Sequence, residues 1–472
     1  MKFTKPIFFF FAFALFLNIP AKAQIADEQE CYSVLSQLSI PLVIVDCKDG
    51  KEPSGEIVYG PADPPPAPMK IIGEKVESSI KVVISGTTVY ESGEYKKDES
   101  GATIKLRGNS TAFLDPKPYK IKLQKKANML FYGDNSYYKD KDWVLIKMAD
   151  KDLRTQIGFK VSELIGQDYV PAYRIVNLIL NGTYRGVYTL CESIKRSKTH
   201  RLNLDEDGFI IECDPYYFAE PVWFKTNAYL PWTFKDPDGE DISEAYVEQI
   251  RQDVIEMENS IMNGTYEDKI DVESYVRWLY GHDLLGTWDY GGSNMYVTKK
   301  RPDAKFCMGP LWDFDTIMYL EDTFNAHHGA NVIMYPYFFF IDNKTFLIRY
   351  VDMVESRTDY IVSELLDWLD KNANTQEYKD LDVSRQWDAK KWGYDKVDVS
   401  SSIAQAHDYF SRRAVWLKNA AKELVPVGLN PVFEDVYPAK SIRYNLHGTR
   451  ATNADRIYIE NGKKYIKRRS EN

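Results

Sequence analysis

The chain has 472 residues, 44% hydrophobic and 14% aromatic, which is enough for more than one domain of roughly 100–200 residues and excludes a disordered protein. Its formal charge of −9 comes without a long basic stretch, which argues against a nucleic-acid partner. Only the final residues, KKYIKRRSEN, are locally basic, and a frayed terminus accounts for them.

The chain opens with MKFTKPIFFFFAFALFLNIPAKAQ: Lys2 and Lys5, an apolar run from Ile7 to Leu17, then Ala21-Lys22-Ala23. That is the charged, apolar, small-residue order of a signal peptide over residues 1–23. The apolar run is short for a span of about 20 residues, no later stretch qualifies, and no Cys follows to carry a lipid. The expectation is an exported protein, periplasmic, cell-surface or extracellular, with no transmembrane segment in the mature chain. Cys31 and Cys47 lie near the new N-terminus, where export would permit a disulfide between them. Cys191 and Cys213 sit in apolar runs and read as packing residues. No C-x-x-C spacing or Cys/His cluster points to structural zinc, and His327-His328 reads as loop.

PADPPPAP supplies a stiff spacer over residues 61–68 that is expected to set a small segment, 24–60, apart from the body. SSIKVVISGTTVYESGEYKKDESGATIKLRGNS alternates β-branched and polar residues between turn signals, which predicts strands. KPYKIKLQKK alternates again, with Lys120 and Lys122 on one face and Ile121 and Leu123 on the other. KDLRTQIGFKVSELIG has helical periodicity and closes on Gly166. RIVNLILNGTYRGVYTLCESI predicts a hairpin turning at Asn181-Gly182. Four amphipathic helical stretches dominate residues 240–425, and after Pro426 the pattern returns to short strands around Asn461-Gly462. The order is α+β, with a small β module appended over residues 426–472.

Two stretches carry chemistry. GPLWDFDTIMYL places Asp313 and Asp315 in an otherwise apolar run, and a buried ionised carboxylate without a partner costs several kcal/mol. GTWDYGGSNMYVTKK places Asp289 and Asn294 around two glycines that let the chain bend. Together they offer hard oxygen donors suited to Mg2+. Protein kinases use the same order, D-x-x-x-x-N followed by D-F-G. Taken singly the motifs have plainer readings: Asp289 caps a turn, Asn294 satisfies local backbone, and Asp313 and Asp315 accept from strand-end amides.

The ordered set LRGNST, KPYKIKL, DWVLIKMADKDLRTQIGFKVSELIG, VNLILNGTYRGVYTLCESI, WDYGGSNMYV and GPLWDFD resembles the CotH kinase family, secreted and spore-coat relatives of atypical protein kinases, over roughly residues 69–425. The resemblance implies a two-lobed kinase-like fold, with a strand-rich N-lobe and a helix-rich C-lobe. It implies ATP bound through Mg2+ or another hard divalent ion such as Mn2+ or Ca2+. It makes Asp289 the catalytic base, and Asn294 and Asp313 metal ligands with Asp315 as a second acidic contact. Arg107, Asn109 and Ser110 would form the loop near the phosphates, Lys120 or Lys122 would neutralise phosphate, and Glu192 would contact nucleotide or pair with a lysine. The chain departs from the family in HDLLGTWD, where relatives carry an acid and an asparagine, and in the paired glycines of WDYGGSN. The tail YNLHGTRATNADRIYIENGKKYIKR resembles a C-terminal module of secreted Bacteroidetes proteins used in sorting or surface attachment; a final hairpin docked on the body is the alternative. The implied activity is transfer of the ATP γ-phosphoryl group to a hydroxyl on an exported or surface protein. A kinase-like scaffold without turnover and a calcium-stabilised adhesion protein are the other two readings.

Overall fold

The computed structural model describes residues 28–61, 68–133, 135–147, 153–228, 230–238, 242–287, 294–324, 343–424, 444–445, 457–460 and 463–466. The signal peptide, most of the proline-rich spacer, Asp289 and His327-His328 lie outside the described residues. The chain forms two compact units, residues 1–425 and 426–472.

The strand-rich part of the first unit contains β1 (Leu42–Cys47), β2 (Gly55–Tyr59), β3 (Met69–Gly73), β4 (Val76–Ile84), β5 (Thr87–Glu91), β6 (Ala102–Leu106), β7 (Tyr119–Ala127), β8 (Asp140–Lys147), β9 (Tyr173–Leu180) and β10 (Thr183–Glu192). Eight of them make one sheet in the order β1-β9-β10-β8-β7-β6-β4-β5, and β1 also pairs with β4. The sheet thereby curls back on itself around Val45, Ile104, Ile121, Trp143, Leu145 and Leu178. The β9–β10 turn is the one anticipated: Asn181 and Gly182 both have positive φ, 50° and 72°, as a two-residue hairpin turn requires.

Two expectations about the N-terminal segment are corrected. β1 is not part of a separate piece, because it pairs in parallel with β9 and antiparallel with β4 inside the main sheet. The proline-rich spacer therefore lies between two parts of the same unit. Cys31 and Cys47 are free thiols. Alternation along β1 sends Cys47 into the interior of the curled sheet, whereas Cys31, on α1 (Glu28–Leu35), packs with Leu42, Ile179 and Tyr184 in a different cluster. Burial pushes the two thiols up to about 12 and about 11, so neither is reactive at neutral pH.

α2 (Arg154–Leu164) ends as predicted at Gly166, with φ 80°. Its Gly158 faces Phe314 so closely that a Cβ there would overlap the ring. Gly158→Ala is expected to destabilise the chain. Overpacking costs about 1–3 kcal/mol, against about 1 kcal/mol returned by the better helix propensity of Ala. A denaturant midpoint at or above the wild-type value would refute this.

The helix-rich part holds a second sheet of β11 (Phe209–Cys213), β12 (Trp223–Lys225), β13 (Pro231–Asp236), β14 (Met295–Lys299) and β15 (Phe306–Met308), ordered β12-β13-β11-β14-β15. The helices are α3 (Glu244–Met262), α4 (Val272–Leu285), α5 (Lys344–Ala373), α6 (Gln376–Trp392) and α7 (Val399–Leu424); α3 and α4 pack on this sheet, whereas α6 lies against β10 of the first. Side-chain oxygens of Ser243, Asp271, Asn343 and Thr375 accept first-turn amides of α3 to α6, and Gly286 and Gly393 close α4 and α6 in the left-handed conformation. Among the described residues no helix is long and apolar enough to cross a membrane.

Glu258 of α3 is buried and accepts Trp232 Nε1–H at 3.2 Å. Burial pushes its carboxyl up to about 7 from an ordinary 4.5. Its stabilising contribution is complete below 4.5, where folded and unfolded chains are both protonated, and is lost as pH rises through about 7. Glu258→Gln keeps an acceptor for Trp232 and removes the titration. It is expected to add about 3 kcal/mol at alkaline pH and to flatten the stability profile across that window. Urea titrations at several pH values check this; a profile parallel to the wild type would refute it.

The second unit contains β16 (Tyr444–Asn445), β17 (Ile457–Glu460) and β18 (Lys463–Ile466), paired antiparallel in that order.

Candidate functional site

Beyond β15 the chain turns so that Trp312 and Phe314 are buried and pack against Phe159 of α2, with ring centroids 6.1 and 5.3 Å away. Between them Asp313 takes a left-handed conformation, φ 60°, an arrangement uncommon outside glycine. Asp313 is exposed, while Trp312 and Phe314 on either side of it are buried. Arg154 Nη1 donates to the Asp315 carbonyl at 2.7 Å, tying the chain after Phe314 to α2.

Asn294, immediately ahead of β14, is also left-handed, φ 68°. Its Nδ2 donates to Asp313 Oδ2 at 3.1 Å, so the amide and carboxylate stand together across 19 residues of chain. Burial raises the Asp313 carboxyl above its usual range, Arg107 and the Asn294 amide pull it back, and Glu212 raises it further. Arg107 itself lies over the Trp312 ring, 5.9 Å from its centroid.

The β6–β7 register sets Lys105 opposite Lys120 and Thr103 opposite Lys122, so Lys105, Arg107, Lys120 and Lys122 share one face of the sheet. Lys120 stands 3.9 Å from Asp142 and Lys122 is exposed beyond it. Burial lowers both Lys105 and Lys120, with Asp142 opposing the shift at Lys120. Among the described residues neither Lys105 nor Arg107 makes an ion pair. Both cations lie on the face turned away from the interior of the curled sheet, and two cations two residues apart there attract an anion. Lys105 was absent from the sequence expectations, yet ATIKLRG signals it: the strand period puts it on the face of Arg107. Gly108, with φ 90°, turns the chain toward Asn109, which is half-buried and begins a short 3-10 turn, Ser110–Phe113.

Glu192 lies elsewhere. It is buried and pairs with Arg201 Nε at 3.3 Å and His200 Nδ1 at 2.6 Å, and accepts the Ala172 amide at 3.0 Å. The loop after β10 folds back and brings an arginine, not a lysine, to this carboxylate.

A second ionic group missed from sequence adjoins Asn294. Glu212 of β11 accepts the Asn294 backbone N–H at 3.0 Å and pairs with Lys235 Nζ at 2.7 Å. Lys70 pairs with Glu220 at 3.0 Å and lies 3.9 Å from Asp214. Burial alone would lower Lys235, but Glu212, Glu220 and Asp214 together raise it. Burial and Glu212 raise Asp214. The signal was present: FIIECDPYYF sets two acids two apart in an apolar run, as WDFD does.

Among the described residues no group of three or more His, Cys, Asp or Glu is arranged to hold a metal ion. The Asp313 carboxylate and the Asn294 amide make a short set of hard oxygen donors. That fits Mg2+, which keeps waters and completes its shell with substrate phosphates, better than a fully protein-caged ion.

No curated protein matches the chain. A crystal structure of the Helicobacter pylori proinflammatory kinase CtkA aligns at 11% identity over 65% of this chain and 94% of its own, with a TM-score of 0.28. The family model described as CotH kinase protein matches residues 104–361, more than half of the chain. That match runs from β6, with its Lys105 and Arg107, through Asn294 and Asp313 into α5, and on it the chain belongs to the CotH kinase family.

Proposed function

We propose that the chain is a Mg2+-dependent phosphotransferase that moves the γ-phosphoryl group of ATP to a hydroxyl on an exported or cell-surface protein. In this reading its strand-rich and helix-rich parts act as the two lobes of a kinase-like fold. The observation that carries the reading is the Asn294–Asp313 contact with Arg107 beside it. Two oxygen-bearing side chains from separate segments meet where a cation would offset a carboxylate raised by burial.

Asp313 and Asn294 would hold the ion, which when bound neutralises charge on the phosphates. Arg107, Lys105 and Lys120 would fix the phosphate chain by charge, with Asn109 and Ser110 at the loop and Lys122 at its outer end. Asp315 would add a second acidic contact. Asp289 would orient the acceptor hydroxyl and take its proton as the acceptor oxygen–phosphorus bond forms and the bond to the departing ADP oxygen breaks. Glu192 would act on nucleotide only through the buried ion pair it makes with Arg201.

The test is incubation of the mature chain with γ-labelled ATP and MgCl2 beside Asp289→Ala. Label transfer by the wild type and none by the variant is expected. Equal transfer by both would remove Asp289 from the mechanism. Stabilisation by Mg2+ and ATP without transfer would leave a nucleotide-binding scaffold. For the tail, resemblance supports sorting or surface attachment through residues 426–472. A chain ending at Val425 is expected to lose cell association on fractionation, and unchanged association would refute the role.

A further inference from the structure

Asn294 contributes its side chain to Asp313 only because its backbone holds a left-handed turn, φ 68°. β14 starts at Met295, which pairs with Cys213, so the Asn294 amide lies one step ahead of the ladder. An amide there must be satisfied by a side chain or water. Glu212 fills that place. Its cross-strand partner on β14 is Tyr296, which makes Asn294 its diagonal neighbour on the same face. On the other side it pairs with Thr233 of β13, and Lys235 follows as the extra residue of a bulge, where Phe234 pairs with Ile211 and Asp236 with Ile210. Bulges re-aim side chains. Here the lysine reaches Glu212 Oε2 while Oε1 accepts the Asn294 amide.

One carboxylate is thus spent on two tasks, an amide and an ammonium. We infer that Glu212 is a positioning residue: held by Lys235, it clamps the Asn294 backbone so that the Asn294 amide side chain stands against Asp313. The inference rests on the nucleotide–metal reading above and adds how the protein half of that site is kept in register. Glu212 acts through Asn294; it is not itself a ligand. Partners that orient ligands in this way commonly govern metal affinity by about 10–100-fold.

The test compares two full-length double variants, E212L/K235M and E212Q/K235M. Both remove the Glu212–Lys235 pair and leave Lys70 alone to offset Asp214 and Glu220, so that change is common to the two. They differ in the oxygen that accepts the Asn294 amide, which only the glutamine retains. Mn2+ affinity is read by electron paramagnetic resonance in the presence of the β,γ-imido analogue of ATP. Binding weaker by about 10–100-fold in E212L/K235M than in E212Q/K235M is expected, with similar metal-free melting temperatures. Affinities within about twofold, against the about 10–100-fold expected of an orienting partner, would overturn the inference. Wild-type chain that binds no Mn2+ with the analogue would overturn the nucleotide reading itself, and the inference with it. If E212L/K235M fails to fold, hydrogen exchange in the metal-free wild type decides. Strong protection at the Asn294 amide supports the clamp, and exchange at the rate of an open loop refutes it.

Discussion

Asp313→Asn is expected to lower phosphoryl transfer by roughly 10²–10³-fold, the range lost when one charge-stabilising group is removed from a preorganised site. The same substitution should raise the melting temperature of the metal-free chain. Both effects have one cause. Burial raises the Asp313 carboxyl, with Glu212 adding to it and Arg107 and the Asn294 amide only partly offsetting it. Without a cation, its contribution to stability is present at low pH and lost as pH rises through the raised value. Asparagine keeps the shape and removes that loss, and with it the charge a divalent ion would use. Melting curves with and without Mg2+ and ATP, read beside label transfer, separate the two effects. A variant that is less stable without metal, or that transfers phosphate at the wild-type rate, would remove Asp313 from the role of metal ligand.

The second large effect lies at Arg201. Its guanidinium and Glu192 are each 1% exposed and lie 3.3 Å apart. The same guanidinium donates to Ser193 Oγ at 2.9 Å and the Asp142 carbonyl at 2.7 Å, and covers the Trp143 ring. Arg201→Met leaves a buried carboxylate with its arginine gone, and breaking such a pair costs about 3–5 kcal/mol. Removing both charges, in Glu192→Met/Arg201→Met, should recover a large part of that loss. Arg201→Lys should recover little, because an ammonium cannot reproduce the planar fork. Denaturant unfolding of the three variants measures the pattern. A loss below about 1 kcal/mol for Arg201→Met, the range of an exposed pair, would show the pair to be weak. Glu192 would then be free to serve nucleotide directly.

What could be read in advance was local. The Asn181-Gly182 hairpin, the Gly166 stop and the helical periodicity of residues 240–425 follow from residues within a few positions of one another, and the structure contains the elements they signal. Asn294 and Asp313 were legible for a different reason: a carboxylate in an apolar run needs a partner wherever it comes from. The N-terminal segment was misjudged because the proline-rich stretch is a local signal, whereas the place of β1 is set by partners at residues 76–84 and 173–180. Cys31 and Cys47 are close in sequence, but strand alternation turns one of them to the other face. Glu212 and Lys235 carry an ordinary signal in their strands. What joins them to Asn294, 82 residues beyond Glu212, is sheet register, and no window of sequence contains it.

β1 also limits where the chain can be shortened. A fragment begun at residue 69, after the proline-rich stretch, or at residue 104, where the family match starts, would lack the strand that fills the gap between β4 and β9. A start at 104 would remove β4 as well. The fragment would then present bare backbone donors and acceptors along β9, an edge of the kind that recruits a second chain. The smallest piece able to fold by itself therefore begins ahead of residue 42.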